Sequence, residues 1–415
     1  MKTLVKSILI AGVATAVSTA APAPASGATP AISAKRVGNI NIASISPTDG
    51  IWSGAGATTV VLYPQQTIKL NDAKANKLNV ANLAKRVSVN AVYSGSTVAF
   101  RLTWSDPTQS VQSKYTSDVY SDGFAMQLPV AFSDPKKLPY VGMGSEGRPV
   151  IVSLAKAIAS HYEPNGNGNI ENQVNPSNSI YFGDELKAHK ANIADMGSVP
   201  YVKSFISEGF RSMTEIKDGS AKVGMKMSYN PRTKQWSAVV AKSLNDGTVN
   251  LGSHGAIPVS FAIWDGGKMN RGGVKNLSSW TAVKLQGKSG DDALMKELTA
   301  APSGNAAVGK AQVEAMCAAC HTLSDAKKAA NAYIAPNLKD IGGYSTNAYL
   351  AESIKDPNAV IVPGYNRNAH KGSPWYNVDP KTGKRTSTMP PMMTDDKSIN
   401  DAVAYLKTLK VGVEK

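Results

Sequence analysis

The sequence predicts two domains of different class: a mainly β N-terminal domain built as an antiparallel β-sandwich, and a small all-α domain after it. Three observations carry this. The chain has 415 residues, too many for one ordinary domain. Over residues 38–286 apolar and polar residues alternate in short runs broken by Gly, Pro, Asn and Asp, the mark of half-buried strands. From Ala306 onward apolar residues recur at three- and four-residue spacing, the mark of helices packed on one face. No internal repeat is visible.

The chain opens on Met1-Lys2-Thr3-Leu4-Val5-Lys6, followed by the apolar run Ile8 to Val17 and the small residues Ser18-Thr19-Ala20-Ala21. A basic start, a short apolar core and small residues describe a signal peptide over residues 1–28, cut between Ala20 and Thr29. The run is too short to span a bilayer comfortably, and no later stretch approaches that length. A periplasmic mature protein without a transmembrane segment is the expectation.

Strands are expected at Val87 to Tyr93 and Val98 to Trp104, joined by the turn Ser94-Gly95-Ser96. Further strands are expected at Phe124 to Leu128, Ala221 to Ser228, Trp236 to Ala241 and Pro258 to Trp264. The Asn- and Gly-rich stretch from Asn165 to Asn178 reads as a surface loop. Residues 287–305 read as a linker, with a short helical piece from Asp291 to Leu298 before Ala300-Ala301-Pro302-Ser303-Gly304. The all-α domain, residues 306–412, is expected to hold helices at Val308 to Ala315, Thr346 to Lys355 and Ser398 to Leu409. In the last, Ile399, Ala402, Val403, Leu406 and Leu409 share a face and Ser398 is the expected N-cap.

Composition narrows the chemistry. With 2 Cys and 5 His in the whole chain, no disulfide scaffold, iron–sulfur cluster or multi-histidine copper centre can be assembled. The net charge of +15 fits an acidic partner or anionic substrate. The basic residues are scattered, and no helix-turn-helix, RRM or zinc-finger pattern accompanies them, so nucleic acid is not an expected partner.

One motif is strong. Cys317-Ala318-Ala319-Cys320-His321 places two thiols where they can add across the vinyl groups of one haem, with an imidazole beside them to ligate the iron. A redox Cys-x-x-Cys would want a βαβ setting, and a zinc site a second ligand pair; neither is present. The distal ligand is expected downstream at Met389, on the Pro-stiffened run Ser387-Thr388-Met389-Pro390-Pro391, with Met392, Met393 and His370 as the alternatives. Val313 to His321, Ala335-Pro336-Asn337-Leu338, the Met389-Pro390 step and the closing helix ending at Lys410 resemble a small class I cytochrome c. That resemblance, over Ala306 to Lys410, implies His321 as proximal and Met389 as distal ligand of one covalent haem c. A long insert from Pro363 to Thr388 departs from the pattern.

Three N-terminal phrases carry a second resemblance. They are Tyr120 to Pro129, the Gly142-Met143-Gly144 loop within Leu138 to Val150, and Phe261 to Gly267 leading through Asn270-Arg271-Gly272-Gly273-Val274-Lys275 to Trp280. In this order they resemble the haem b (gamma) subunits of the type II dimethyl sulfoxide reductase family. That group includes the third subunits of ethylbenzene dehydrogenase, selenate and chlorate reductase and nitrite oxidoreductase. Ala155 to Met213 fits it least. The resemblance implies one noncovalent haem b held in the sandwich between Met143 and Lys275. It also implies an iron–sulfur subunit and a molybdopterin catalytic subunit as partners, with a soluble cytochrome c or another carrier at the outer end. The function so implied is electron transfer rather than catalysis; the alternative is a carbohydrate-binding sandwich fused to a monohaem cytochrome c.

Overall fold

The computed structural model describes residues 28–111, 120–158, 201–210, 212–364 and 375–414. The expected signal peptide (but for Ala28), the Asn-rich loop and His370 lie outside the described residues.

In chain order the strands of the N-terminal domain are β1 (Ile32–Arg36), β2 (Ala57–Pro64), β3 (Lys85–Tyr93), β4 (Thr97–Ser105), β5 (Gly123–Pro129), β6 (Val150–Lys156) and β7 (Val202–Ser207). They continue with β8 (Thr214–Glu215), β9 (Val223–Asn230), β10 (Gln235–Ser243), β11 (Ala256–Trp264), β12 (Asn276–Leu277) and β13 (Thr281–Leu285), with helix α1 (Ala73–Ala81) between β2 and β3. One layer runs β9-β10-β4-β3-β2, the other β8-β7-β6-β5-β11-β12-β2. Two strands belong to both. The first half of β11 pairs with β13 and its second half with β5, while β2 leaves β3 at Leu62 and meets β12 at Tyr63 and Pro64. Strands that change layer in this way close the corners of a sandwich.

The alternation of β3 and β4 is explained by their pairing. Val87 faces Trp104, Val89 faces Leu102 and Ala91 faces Phe100 across the antiparallel ladder, and all six are buried in the main core. Phe100 meets Phe261 edge-on at 5.5 Å between centroids; truncating it to Ala would cost about 3–5 kcal/mol. The opposite face is not left to solvent. Ile40, Ile45 and Trp52 cover Val92, Ala99, Val239 and Ala241.

The sandwich differs from expectation in two respects. It begins ahead of Gly38, at β1, and it is not wholly antiparallel, because β1 pairs in parallel with both β13 and β3. Residues 287–305 carry helix α2 (Asp292–Thr299), whose Leu294 and Leu298 are buried in the main core.

The C-terminal domain consists of α3 (Ala306–Met316), α4 (Ile341–Tyr344), α5 (Asn347–Lys355), a hairpin of β14 (Tyr376–Val378) and β15 (Arg385–Ser387), and α6 (Asp396–Leu406). The N-cap of α6 is Asp395, whose carboxylate accepts from Ser398 N at 2.8 Å, so the helix starts ahead of the expected Ser398 cap. α3 and α6 cross closely. A Cβ on Gly309 would overlap the Asp401 carbonyl, so the crossing needs a residue without a side chain there. The two domains are joined by more than the chain between them. The C-terminal tail returns to the sandwich, where Ala84 N donates to Gly412 O at 3.0 Å and Glu414 N to Ala84 O at 2.8 Å. Arg148 makes a bidentate pair with Glu352 of α5, both contacts 2.7 Å.

Candidate functional site

The C-terminal site is built at the end of α3. Asn305 caps this helix, its side chain accepting from Ala307 N and Val308 N, and Cys317 ends it, its N donating to Val313 O at 2.8 Å. A further turn follows, with Cys320 N and His321 N donating to Cys317 O at 3.1 and 2.9 Å. Cys317 is half-buried, Cys320 is exposed, and both are free thiols. His321 is buried, and its Nδ1 lies 2.8 Å from the Pro336 carbonyl. A carbonyl only accepts, so Nδ1 carries the proton and Nε2 keeps the lone pair that a metal requires. Burial holds the His321 pKa below its ordinary value, against the opposing pull of the Pro336 hydrogen bond, which keeps the ring neutral.

The methionines downstream separate by burial. Met393 is 6% exposed and belongs to the main core; Met392 packs against that core from its edge. Met389 is half-buried and stands outside the core cluster, on a turn where its N donates to Ser387 Oγ at 3.0 Å.

The N-terminal site is a cavity of about 540 Å³ in the sandwich, walled by apolar side chains such as Val152, Leu154, Phe205 and Phe261. That volume lies in the range of cofactor pockets. Met143 and Lys275, far apart in the sequence, both line it.

Met143 is set on a strained turn. Its φ is +90°, a region that costs a residue with a side chain about 1–3 kcal/mol. The surroundings enforce it. A Cβ on Gly142 would sit 2.5 Å from the Tyr140 ring and 2.7 Å from Gln65 Nε2, and one on Gly144 would sit 2.6 Å from Ser207 O. Ser207 Oγ donates to Met143 O at 2.9 Å, and Gln127 Nε2 to Val141 O at 2.8 Å.

Lys275 precedes β12 and is 4% exposed. Its backbone is tied to the end of β2, Gln65 N donating to Lys275 O at 2.9 Å. Its Nζ donates to Gln65 Oε1 at 2.8 Å and lies 5.7 Å from the Trp264 ring centre. Burial brings its pKa down to about 8, so the neutral amine is accessible near neutral pH. Four lysines are buried among the described residues: Lys85, Lys242, Lys275 and Lys407. Lys85 pairs with Asp265 and Lys242 with Asp246, and Lys407 Nζ donates to Ser345 O at 2.6 Å. Lys275 alone of the four opens on the cavity, and no carboxylate pairs with it among the described residues.

A buried acidic group, Asp106, Asp122 and Asp265, has its oxygens within 4.8 Å of one another. The Lys85 ammonium inserts there, 2.9 Å from Asp265 and 3.9 Å from Asp106. The group is therefore read as an internal ion-pair network rather than a metal site.

Sequence reasoning missed Gln65, which joins both halves of the N-terminal site. A lone Gln at a strand end carries no pattern, and only the pairing of β2 with β12 brings it to Lys275.

Comparisons with known proteins agree with this division. A model of the ethylbenzene dehydrogenase family matches residues 49–276, more than half of the chain, and a model of the cytochrome c family matches residues 306–410. A cytochrome c2 of Pararhodospirillum photometricum is 29% identical over 123 residues, covering 26% of this chain and 100% of that protein. Among solved structures, a family 9 carbohydrate-binding module of Caldicellulosiruptor kristjanssonii in complex with cellotriose aligns at 8% identity and a TM-score of 0.31. It covers 63% of this chain and 96% of that one. A putative carbohydrate-binding protein of Bacteroides uniformis aligns at 6% identity and 0.26, covering 61% and 98%. Likeness at these scores carries no argument about ligand. Haem-based electron transfer is the activity that the two matched families share, and the Cys317/Cys320/His321 motif fits a covalent haem. The chain belongs to the ethylbenzene dehydrogenase family and carries a cytochrome c domain on its C-terminal side.

Proposed function

We propose that this chain is an exported electron-transfer subunit with two haems, one noncovalent in the sandwich and one covalent in the C-terminal domain. One observation carries the reading: Met143 and Lys275 open on one largely apolar cavity of cofactor size, and the lysine there has no carboxylate partner among the described residues. A buried ammonium without a counter-charge is costly, whereas a neutral amine facing a metal is a ligand. Bound haem supplies a one-electron couple at each site.

The residues then divide the work. Met143 would offer a thioether from a turn that Gly142 and Gly144 allow to pack tightly against Tyr140 and Ser207. Lys275 offers its amine from the other segment, and Gln65 accepts a hydrogen bond from that nitrogen and orients it. In the C-terminal domain Cys317 and Cys320 would form the thioether bonds of a covalent haem, with His321 Nε2 and the Met389 thioether as the side-chain donors that would hold its iron. Met393, buried in the core, is engaged in packing. Among the described residues neither site contains a poised acid–base pair, and we assign substrate chemistry to a partner. We place the chain in a periplasmic complex with an iron–sulfur subunit and a molybdopterin subunit, passing electrons to or from a soluble cytochrome c or similar carrier. The basic, apolar and small-residue order of residues 1–28 supports export, as does the chemistry of thioether attachment.

Acid–acetone extraction of the purified chain tests this. One haem should pass into the solvent and one should stay with the polypeptide. A single haem, whether extracted or retained, would contradict the two-haem reading. Purification of the tagged chain from its own host should bring both partner subunits with it.

A further inference from the structure

The wall between the two sites is aromatic and continuous. Ile68, Tyr140 and Phe210 form a small buried cluster of their own, against which Tyr349 of α5, Val362 and Trp375 pack from the C-terminal domain. Tyr140 lies 5.4 Å from the Tyr349 ring and 6.1 Å from that of Phe210. On the sandwich side this cluster touches the cavity structure directly. Tyr140 OH receives a hydrogen bond from Gln65 Nε2 at 3.4 Å, and the same amide's oxygen accepts from Lys275 Nζ at 2.8 Å. Gly142, beside Met143, leaves no room between itself and the Tyr140 ring, and Gly273, which lines the cavity, abuts Ile68. On the other side Trp375 reaches both flanks of the cytochrome site. Its Nε1 donates to Tyr333 O at 3.1 Å, on the segment whose Pro336 holds His321. Its carbonyl accepts from Thr388 N at 3.1 Å, next to Met389.

The domains are also clamped. Besides the Arg148–Glu352 pair and the tail at Ala84, Glu146 N donates to Ile361 O at 2.8 Å and Phe210 N to Pro363 O at 2.9 Å. Each of these bonds crosses from the sandwich to the cytochrome domain. Packed side chains and rigid elements in a fixed arrangement can carry coupling between two sites, and this wall supplies both.

Building on the two-haem reading, we propose that the cluster of Tyr140, Phe210, Tyr349 and Trp375 is the intramolecular electron bridge between the two haems. The cytochrome domain on this account works docked to the sandwich rather than swinging on a tether. The step moves one electron. Iron on one side is oxidised from ferrous to ferric and iron on the other is reduced from ferric to ferrous, with no proton or atom transferred. Tyr140 and Trp375 act as positioning residues, Tyr140 fixed through Gln65, which also holds Lys275, and Trp375 through Tyr333 O and Thr388 N.

The test is the rate of electron equilibration between the haems after rapid photoreduction, in the wild-type chain and in Phe210→Leu and Tyr349→Leu. Both variants should keep two low-spin haems at unaltered potentials while the rate falls by about tenfold or more, as misplacement of coupled groups does. A wild-type rate at full haem loading would overturn the bridge. Two measurements need no change at the cluster. The wild-type rate should be independent of protein concentration and solvent viscosity; slowing in glycerol would mean a swinging domain and overturn the proposal. Amides of Glu146, Phe210 and Glu414 should be protected from hydrogen exchange in the holoprotein and in the Lys275→Ala chain, and rapid exchange there would equally overturn it. Failure of the two-haem reading is distinguishable, because a haem band is then missing before any rate is measured.

Discussion

On the proposed reading the two candidate sites would each hold an iron porphyrin, and they are built for it by different means. In the C-terminal domain the anchoring groups are consecutive, Cys317 to His321, at the end of one helix, and Cys320 is exposed. In the sandwich the groups come from separate segments, Lys275 is buried, and Met143 is held at a costly positive φ. Covalent attachment tolerates an open site, because thioether bonds hold the group even where water reaches it. A noncovalent site must enclose its ligand, so it requires a preformed apolar cavity and a loop strained into place. The comparison teaches that the covalent site is legible as a motif and the noncovalent one only as an assembly.

The contrast breaks most completely at the thiols. Cys317→Ser together with Cys320→Ser should abolish covalent haem, read as the loss of haem-bearing mass on the denatured polypeptide, while the extractable haem persists. Covalent haem on that double variant would remove the cytochrome half of the account.

A smaller effect separates ligation from packing within the methionine cluster. Met389→Ala should open a coordination position and lower the haem c potential, since a thioether ligand raises it. Met393→Ala should leave spectrum and potential unchanged but lower stability by about 2–5 kcal/mol, because it removes a buried side chain. The reverse pattern would transfer the distal role to Met393.

The smallest effect is in pH. Burial holds the Lys275 pKa at about 8, below its unfolded value, so the haem-free fold is penalised when the amine is charged. Its stability should therefore rise with pH from about 8 towards 10.5. Iron competes with that proton. Below pH 8 retention of the noncovalent haem should weaken by about tenfold per unit, flattening above it. The covalent haem, titrated in parallel, should show no such loss.

Much of the fold was legible because burial and pairing leave a period. β3 and β4 alternate, and the α6 face of Ile399, Ala402, Val403 and Leu406 is buried as its spacing predicts. What escaped lacks a period. In α1 only Ala75 and Asn79 are buried, so no apolar stripe marks it. β1 is five residues long, and its parallel pairing with β3 and β13 depends wholly on the rest of the sandwich. The tail at Val411 to Glu414 docks through backbone hydrogen bonds to Ala84, which side-chain patterning does not record. The same holds for the cavity. Met143 and Lys275 were reached through resemblance, and no local rule would have joined them or drawn in Gln65.

Substitution of Lys275 by Arg tests the central claim most directly. Arginine keeps the charge and nearly the length of lysine but stays protonated, so it has no lone pair for iron. The measurement is the noncovalent haem content and spin state of purified Lys275→Arg beside wild type, with Met143→Ala as the matching lesion on the opposite segment. The account predicts that both variants lose the noncovalent haem or hold it high-spin, while the haem on Cys317 and Cys320 remains low-spin. Full low-spin noncovalent haem in Lys275→Arg would contradict it.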